Sequence, residues 1–345
     1  MAVSIKEVAK LAGVSVATVS NVLNNTKNVR EETKKKVEIA VKQLNYQINP
    51  LARNFRKGQS KIVGFVVSDL SNYFFQYIAI GLERSLSAYG YRVALMDSKE
   101  NKELEIENVK NLLASSVDGL VIATTGEDCC YLQLVLENHD VPVVFVDRKP
   151  FGYRSDMVLS LNTEGAYLGV KYLIQKGHKK IGFLTSRIDS TAAERIEGYR
   201  QAHFEAGLKV NENYIKTGDN AVSLSQSQLL HGISYTQTKE LIEGGEVTAL
   251  FAGNNLSSIG VYNYLREANI KVPEEKAFMT FDDSFWLSMT TPSISAVEQD
   301  PDTIGSVAGQ LIYERIAEKD MQQPADRVVR IPTRLVLRNS VQEIS

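Results

Sequence analysis

Cysteine is nearly absent: the 345 residues hold two, Cys129 and Cys130, side by side. Adjacent thiols suit neither a stabilising disulfide nor a zinc site, so buried thiols in a reducing compartment are expected. Histidine is sparse too, and His139, His178, His203 and His231 are too scattered to suggest a metal cluster. No apolar run approaches the roughly 20 residues of a membrane span. The N-terminal segment carries an acidic residue, Glu7, and no signal-peptide pattern, which points to a cytoplasmic protein without a membrane partner. Also missing are G-x-G-x-x-G, a Walker loop, a G-x-S-x-G elbow and H-E-x-x-H, so nucleotide-fuelled or hydrolytic catalysis has no visible machinery. Asp282 and Asp283 form a carboxylate pair, but at the end of the apolar run AFMTF they suit binding of ligand hydroxyls at least as well as acid/base work. Neither an enzyme nor a cofactor is expected.

What is present is an asymmetry of charge. Residues 1–57 carry eleven Lys or Arg against four Glu, while the remainder carries 28 basic against 37 acidic residues. A small basic head joined to an acidic body is the footprint of a polyanion-binding module attached to something else. Within the head, Ser4 and Glu7 have capping-box spacing ahead of Val8, Leu11 and Ala12, and Gly13 supplies a stop. Ser15 can cap a second helix with Val19, Val22 and Leu23 inward and Ala17, Thr18, Ser20, Asn21 and Asn24 outward. Two short helices about a glycine-containing turn make a helix-turn-helix, whose second helix enters the DNA major groove. Val37, Ala40, Val41 and Leu44 fall at helical spacing and give a third helix that completes a small core.

From residue 62 the chain alternates apolar strand runs with helical stretches. IVGFVV, RVALMD, GLVIAT and VPVVFVD alternate with helices near 75–90, 103–115 and 131–138. The cycle restarts at Thr163, with a helix to about 176, KIGFLTS, a helix over 192–206, YIKTG, a helix near 235–243, ALFAG, a helix over 257–267 and AFMTFDD. Repeated β-α units build doubly wound parallel sheets, and ligands of such sheets bind beyond the carboxyl ends of the strands. Two facing halves therefore create one cleft. The segment 220–237, rich in Ser and Gln, reads as an enlarged surface loop without an assigned role.

The head phrases IKEVAKLAGVSVATVSNVLN and VREETKKKVEIAVKQLNYQINPLARNFRKG resemble the N-terminus of the LacI/GalR family of bacterial transcriptional regulators. The resemblance continues in family order through SDLSNYFF, VDGLVI, VPVVFVDR, GHKKIGFL, ERIEGYRQA and SAVEQDP. It implies an all-α helix-turn-helix head over 1–48, a hinge helix and linker over 49–60, and an α/β body over 61–345 of periplasmic-binding-protein type. It also implies three crossings between the halves, near Asn162, Thr291 and Gln323, so that the first half spans about 61–162 plus 292–322 and the second about 163–291 plus 323–345.

By position, the resemblance makes Val16, Ala17 and Asn21 base-reading residues and Thr18, Ser20 and Asn25 phosphate donors, with Ser15 in the same surface. Asn21 departs from the Arg common in the family; Asn suits adenine where Arg suits guanine, so a typical half-site need not transfer. In the hinge, Asn49 and Pro50 start a helix of about two turns and Gly58 stops it. Leu51 and Phe55 share one face, Phe55 standing where the family inserts a Leu wedge into the central base step, while Arg53, Arg56 and Lys57 meet phosphates. So short a helix is expected to form only on DNA, against its dimer mate. The partners implied are pseudo-palindromic double-stranded operator DNA and a second copy of the chain, without the heptad tail that argues for a tetramer.

For the cleft, the resemblance assigns Asp69, Asn72, Tyr73, Phe74, Asp147, Arg148, Arg195, Asn254, Asn255, Asp282 and Gln299 to the effector. Asp, Asn and Arg supply the paired donors and acceptors that a sugar needs, and Phe74 can cover the apolar face of its ring. Asn255 stands where Asp is common, and Arg187 and Asp189 stand where small residues are usual. A negative charge fewer and a positive one more favour a sugar acid or sugar phosphate, paired with Arg148, Arg195 and Arg187, over a neutral sugar. The function expected is a repressor of carbohydrate-utilisation genes whose operator affinity the effector controls. A sugar-binding protein without a DNA role would explain the body alone.

Overall fold

The computed structural model describes residues 3–24, 29–46, 59–126, 130–136, 139–218, 230–318 and 325–344. The chain divides into two compact units, Met1–Ser60 and Lys61–Ser345.

In the first unit, helix α1 (Ile5–Ala12) starts where the Ser4 N–H donates to the Glu7 carboxylate at 2.7 Å. It ends at Gly13, whose φ of +64° lets the Val14 N–H turn back to the Ala9 carbonyl at 3.1 Å. The hydroxyl of Ser15 then accepts from the Thr18 N–H at 3.1 Å, which starts α2 (Val16–Asn24). A third helix, α3 (Glu31–Gln43), closes a core of Val8, Ala9, Ala12, Val19, Val37 and Ala40. Val22, Leu23, Val41 and Leu44 pack around it. The core is built from Ala and Val because the helices are short and lie close together; each fully buried Val contributes roughly 1.5–3 kcal/mol relative to exposure.

The second unit holds two six-stranded sheets. The first contains β1 (Ile62–Val67), β2 (Arg92–Asp97), β3 (Gly119–Ile122), β4 (Val143–Val146), β5 (Asp156–Ser160) and β11 (Val328–Ile331), in the order β11-β5-β4-β3-β1-β2. The second contains β6 (Ile181–Thr185), β7 (Ile215–Thr217), β8 (Ala249–Ala252), β9 (Ala277–Phe281), β10 (Ser295–Glu298) and β12 (Arg334–Val336), in the order β12-β10-β9-β8-β6-β7. Every pairing is parallel except β10 with β12. The central strands β3, β4, β6, β8 and β9 are buried at every position, which is why they read as unbroken apolar runs.

Helices α4 (Tyr73–Ser87), α5 (Lys102–Ala114), α6 (Cys130–Leu136) and α11 (Pro301–Ala317) belong to the first half. Helices α7 (Asn162–Gln175), α8 (Ser190–Glu205), α9 (Ile233–Glu243) and α10 (Asn255–Glu267) belong to the second. The crossing of α4 and α11 depends on glycine at both sides: a Cβ at Gly81 would lie 2.1 Å from the Asp302 carbonyl oxygen, and one at Gly305 2.0 Å from that of Ile78. This close approach fixes the N-terminus of α4 beside the chain that leaves β10.

The stretch RVVRIPTRLVLR divides between the sheets: β11 joins the first beside β5, and β12 joins the second beside β10. Two expectations change. The later crossings fall at Gln299–Asp300 and Pro332–Thr333, not near Thr291 and Gln323, because β10 still pairs with β9 before Asp300 caps α11, and β11 and β12 lie in different sheets. The strand β5 and helix α11 are additions to the elements read from periodicity. Of the expected long loop, residues 233–237 are the first turn of α9, and residues 220–229 lie outside the described residues. Among the described residues, no helix is long and apolar enough to cross a membrane, and no cluster of His, Cys, Asp or Glu could hold a metal ion.

Candidate functional site

In the first unit, Val16 and Ala17 are exposed at the start of α2, one turn before the partly covered Ser20 and Asn21. The hydroxyls of Ser15 and Thr18 lie 2.8 Å apart and are engaged in the cap. Asn25, Leu51, Arg53, Phe55, Arg56 and Lys57 lie outside the described residues.

In the second unit the strand ends bring two clusters together. One is built of amides and a carboxylate. Asn72 caps α4, its Oδ1 accepting from the Phe74 N–H at 3.0 Å, and the same oxygen accepts from Asn255 Nδ2 across the cleft at 2.7 Å. The Asn255 N–H donates to Asp282 Oδ2 at 2.9 Å, and Gln299 Nε2 donates to Asp282 Oδ1 at 2.5 Å. Beside it, Asn254 caps α10 by accepting from the Ser257 N–H at 2.8 Å. Asp283 turns away into a two-pronged pair with Arg338, at 2.7 Å on each oxygen. A cavity of about 670 Å³ opens from this cluster, lined by Phe74, Asn255, Asp282 and Gln299. Tyr73 stands at its mouth, edge-on to Phe285 with ring centres 5.4 Å apart.

The other cluster is ionic. Arg148, following β4, forks onto Glu100, with Nη2 to Oε1 at 2.8 Å and Nη1 to Oε2 at 3.0 Å. Arg187, from the opposite half, donates to the same Glu100 and to the Thr125 carbonyl at 2.8 Å. The Nε atoms of Arg148 and Arg187 lie 3.1 and 3.2 Å from Asp189 Oδ2, as ion-pair contacts without hydrogen-bond alignment. Asp189 Oδ1 caps α8 through the Ala192 N–H at 2.9 Å. Burial raises the Glu100 and Asp189 carboxyls, but Arg148 and Arg187 outweigh it and hold both below the usual range. Burial and the acids Asp189 and Asp282 push Asp147 up to about 7, against the lowering by Arg148 and Arg195.

Between the clusters, Arg195 lies buried in the second turn of α8. It donates to Asn162 Oδ1 at 2.9 Å and to the Gly253 carbonyl at 2.7 Å, with its guanidinium 3.8 Å over the Phe281 ring. Asp69 serves its own turn, its Oδ1 accepting from the Ser71 N–H at 2.9 Å and hydroxyl at 2.7 Å. A more open groove of about 1030 Å³ on α7 and α8, around Tyr167, Phe204 and Arg330, contains none of the expected cleft residues.

Sequence reasoning did not select Glu100, Asn162 or Phe281 as ligand-cleft residues. A signal for Glu100 exists: it follows the strand RVALMD by three residues, in the strand-end position that singled out the others.

Residues 4–49 match the family model of bacterial regulatory proteins of the lacI family. Residues 60–339 match the model of periplasmic binding proteins and the sugar binding domain of the LacI family. The chain is similar to the ribose operon repressor of Escherichia coli (strain K12), 32% identical over 321 residues that cover 93% of this chain and 95% of that one. It is equally 32% identical, over 350 residues and 99% of both chains, to the HTH-type transcriptional repressor PurR of Vibrio atlanticus (strain LGP32). The crystal structure of the lac repressor dimer bound to operator and an anti-inducer shares the fold, with a TM-score of 0.84, 23% identity, and coverage of 99% of this chain and 100% of that one.

Proposed function

The chain belongs to the LacI family of DNA-binding transcriptional repressors, and from that premise we propose that an uncharged sugar bound between the two halves of the body controls its affinity for operator DNA. The observation that carries the reading is the Asn72–Asn255 hydrogen bond at 2.7 Å, which joins the halves through polar side chains beside a cavity of about 670 Å³. A polyhydroxylated ligand can replace such a bond with its own and so change the preferred arrangement of the halves. By linkage, a ligand that prefers one arrangement alters operator affinity by the same factor that operator alters its own, typically about 5–150-fold.

The ionic cluster supports an uncharged ligand. The sequence alone favours a sugar acid or sugar phosphate on Arg148, Arg187 and Arg195. Glu100 and Asp189 already accompany the first two, and Arg195 is engaged with Asn162, Gly253 and Phe281. A neutral sugar needs only the donors and acceptors of Asp282, Asn255 and Gln299, with an aromatic face from Phe74. The proposed assembly is a two-fold dimer on a palindromic operator; Tyr73, Tyr77 and Ile80 form an exposed apolar stripe on α4 suited to a second copy.

The test is gel retardation with DNA selected by the full chain from a random pool, in the presence of ribose and other neutral sugars or their acids. A specific shift that a neutral sugar changes at least 5-fold is expected. No sequence-specific shift refutes the DNA role, and a response to acids alone refutes the neutral ligand.

A further inference from the structure

We propose that Glu100 is the specificity residue by which this cleft excludes anions: its carboxylate occupies an anion site made by Arg148 from one half and Arg187 from the other. The inference rests on the reading of the cleft as the effector site and names the residue that sets the charge of what enters it.

Three observations meet at this residue. The first is the geometry of a bound anion. Both Glu100 oxygens are taken by the Arg148 fork at 2.8 and 3.0 Å, and Arg187 donates to one of them, so a carboxylate sits between two guanidiniums as a ligand carboxylate or phosphate would. The second is burial: the side chains of Arg148 and Glu100 are each 10% exposed and that of Arg187 is 14% exposed. At that depth charges must balance, and two arginines against Glu100 and Asp189 are formally neutral. An anion added to the cluster would leave a net negative charge away from water. The third is the backbone. Lys99 and Glu100 adopt left-handed φ angles of 51° and 54°, a conformation that non-glycine residues rarely hold in succession. The Glu100 N–H donates to the Ser68 carbonyl at 2.6 Å, and Asn101 immediately caps α5, so both sides of the turn are fastened. Backbone strain kept in place by its surroundings marks a side chain whose position matters, and here that position is the arginine pair.

Because Glu100 comes from the loop after β2 in the first half and Arg187 from the loop after β6 in the second, the exclusion device also ties the halves together. A neutral sugar can bind at the amide cluster without disturbing it. An acid would first have to displace a carboxylate held at no loss of translational freedom.

The test is chemical replacement of the missing carboxylate in the full chain. Thermal unfolding of wild type, Glu100→Ala and Glu100→Asn is followed in sodium acetate and in sodium chloride of equal ionic strength. Calorimetry then compares glucose with glucuronate on each protein. The expected result is no acetate-specific shift for wild type, and a rise of several degrees in acetate for Glu100→Ala, which leaves both room and charge. Glu100→Asn, shorter, uncharged and suited to the left-handed φ of this position, keeps the test readable if the alanine variant does not fold; it is expected to bind glucuronate at least 10-fold more tightly than wild type does. Addition of Arg187→Met to either variant should abolish the gain. The proposal is overturned if wild type responds to acetate as strongly as the variants, or if neither variant gains affinity for an anion. Operator binding by wild type is read separately: anion capture can fail while a neutral sugar still shifts the operator complex, and that outcome removes Glu100 from its role without touching the repressor.

Discussion

Asp147 and Asp282 stand at corresponding places in the two halves of the body. Each directly follows the fourth strand of its half in chain order, β4 or β9. Each has a left-handed φ, 68° and 74°, and each donates its N–H to the neighbouring strand, Asp147 to the Val158 carbonyl at 3.1 Å and Asp282 to that of Val297 at 2.8 Å. The surroundings then diverge. Asp282 accepts from a backbone N–H and an amide, a neutral setting whose donors a sugar hydroxyl can imitate. Asp147 lies beside arginines that already have other acids, its closest approach to Arg148 being 3.7 Å, and burial leaves it titrating at about 7. One backbone device thus gives a neutral hydrogen-bonded acceptor in one half and a charge-sensitive group in the other. What differs is which donors the neighbouring loops bring, not how the aspartate is held.

The largest way to disturb that contrast is Arg148→Met. It removes the fork on Glu100 and one cation beside both Asp147 and Asp189, and leaves the Thr124 carbonyl, now accepting at 2.9 Å, without this donor. Breaking a buried pair by deleting one member costs about 3–5 kcal/mol, because the remaining charge stays buried. A fall in Tm on the order of 10 °C is expected for the body. A loss under 2 °C in differential scanning calorimetry would mean that water reaches Glu100 and that the ionic cluster is not a buried one.

The origin of this contrast was only partly legible in the sequence. Strand-end positions are visible because buried parallel strands read as apolar runs, so Asp147 and Asp282 could both be named. Asn255, Gln299, Arg148 and Arg195 could be named as well, but not which of them pairs with which aspartate, since hydrogen bonding between loops depends on backbone turns that leave no periodic trace. Glu100 reaches the arginines only through two successive left-handed residues in SKEN. The split of RVVRIPTRLVLR between two sheets was hidden for a related reason: β11 and β12 are both extended, and only their pairing with β5 or β10 tells them apart. In the head, helical period and caps act within a few residues of each other, so Ser4, Gly13 and Ser15 could be read directly.

An effect of similar size above pH 7, vanishing towards pH 4, should come from Asp147→Asn. A carboxyl whose folded pKa is about 7 holds its proton in the fold when the unfolded chain, near 3.9, has lost it. Its contribution to stability is therefore intact below about pH 4 and is lost as the pH rises through about 7. The asparagine variant keeps a neutral side chain throughout. It should gain on wild type by up to roughly 1.4 kcal/mol per pH unit between about 4 and 7, with a constant gap above. Parallel stability curves for the two proteins, measured by urea unfolding between pH 4.5 and 8.5, would place Asp147 in contact with solvent.

The smallest change tests the neutral side of the comparison. Asn72 has two tasks: its Oδ1 caps α4 at the Phe74 N–H and accepts from Asn255 across the cleft, where its Nδ2 also donates back to Asn255 Oδ1 at 3.5 Å. Serine caps helices about as well as asparagine but is too short to bridge, so Asn72→Ser separates the tasks. One net hydrogen bond is worth about 0.5–1.5 kcal/mol, so the stability loss should be small. The same bond, however, joins the two halves where the sugar is proposed to act. Its removal should shift affinity for the neutral sugar that acts on operator binding by up to about 10-fold, since 1.4 kcal/mol is a factor of ten. The ionic cluster should be untouched, leaving discrimination against acids as in wild type. If Asn72→Ser instead relaxed that discrimination and left the neutral sugar unaffected, the two clusters would not be separable and the division of labour between Asp147 and Asp282 would fail.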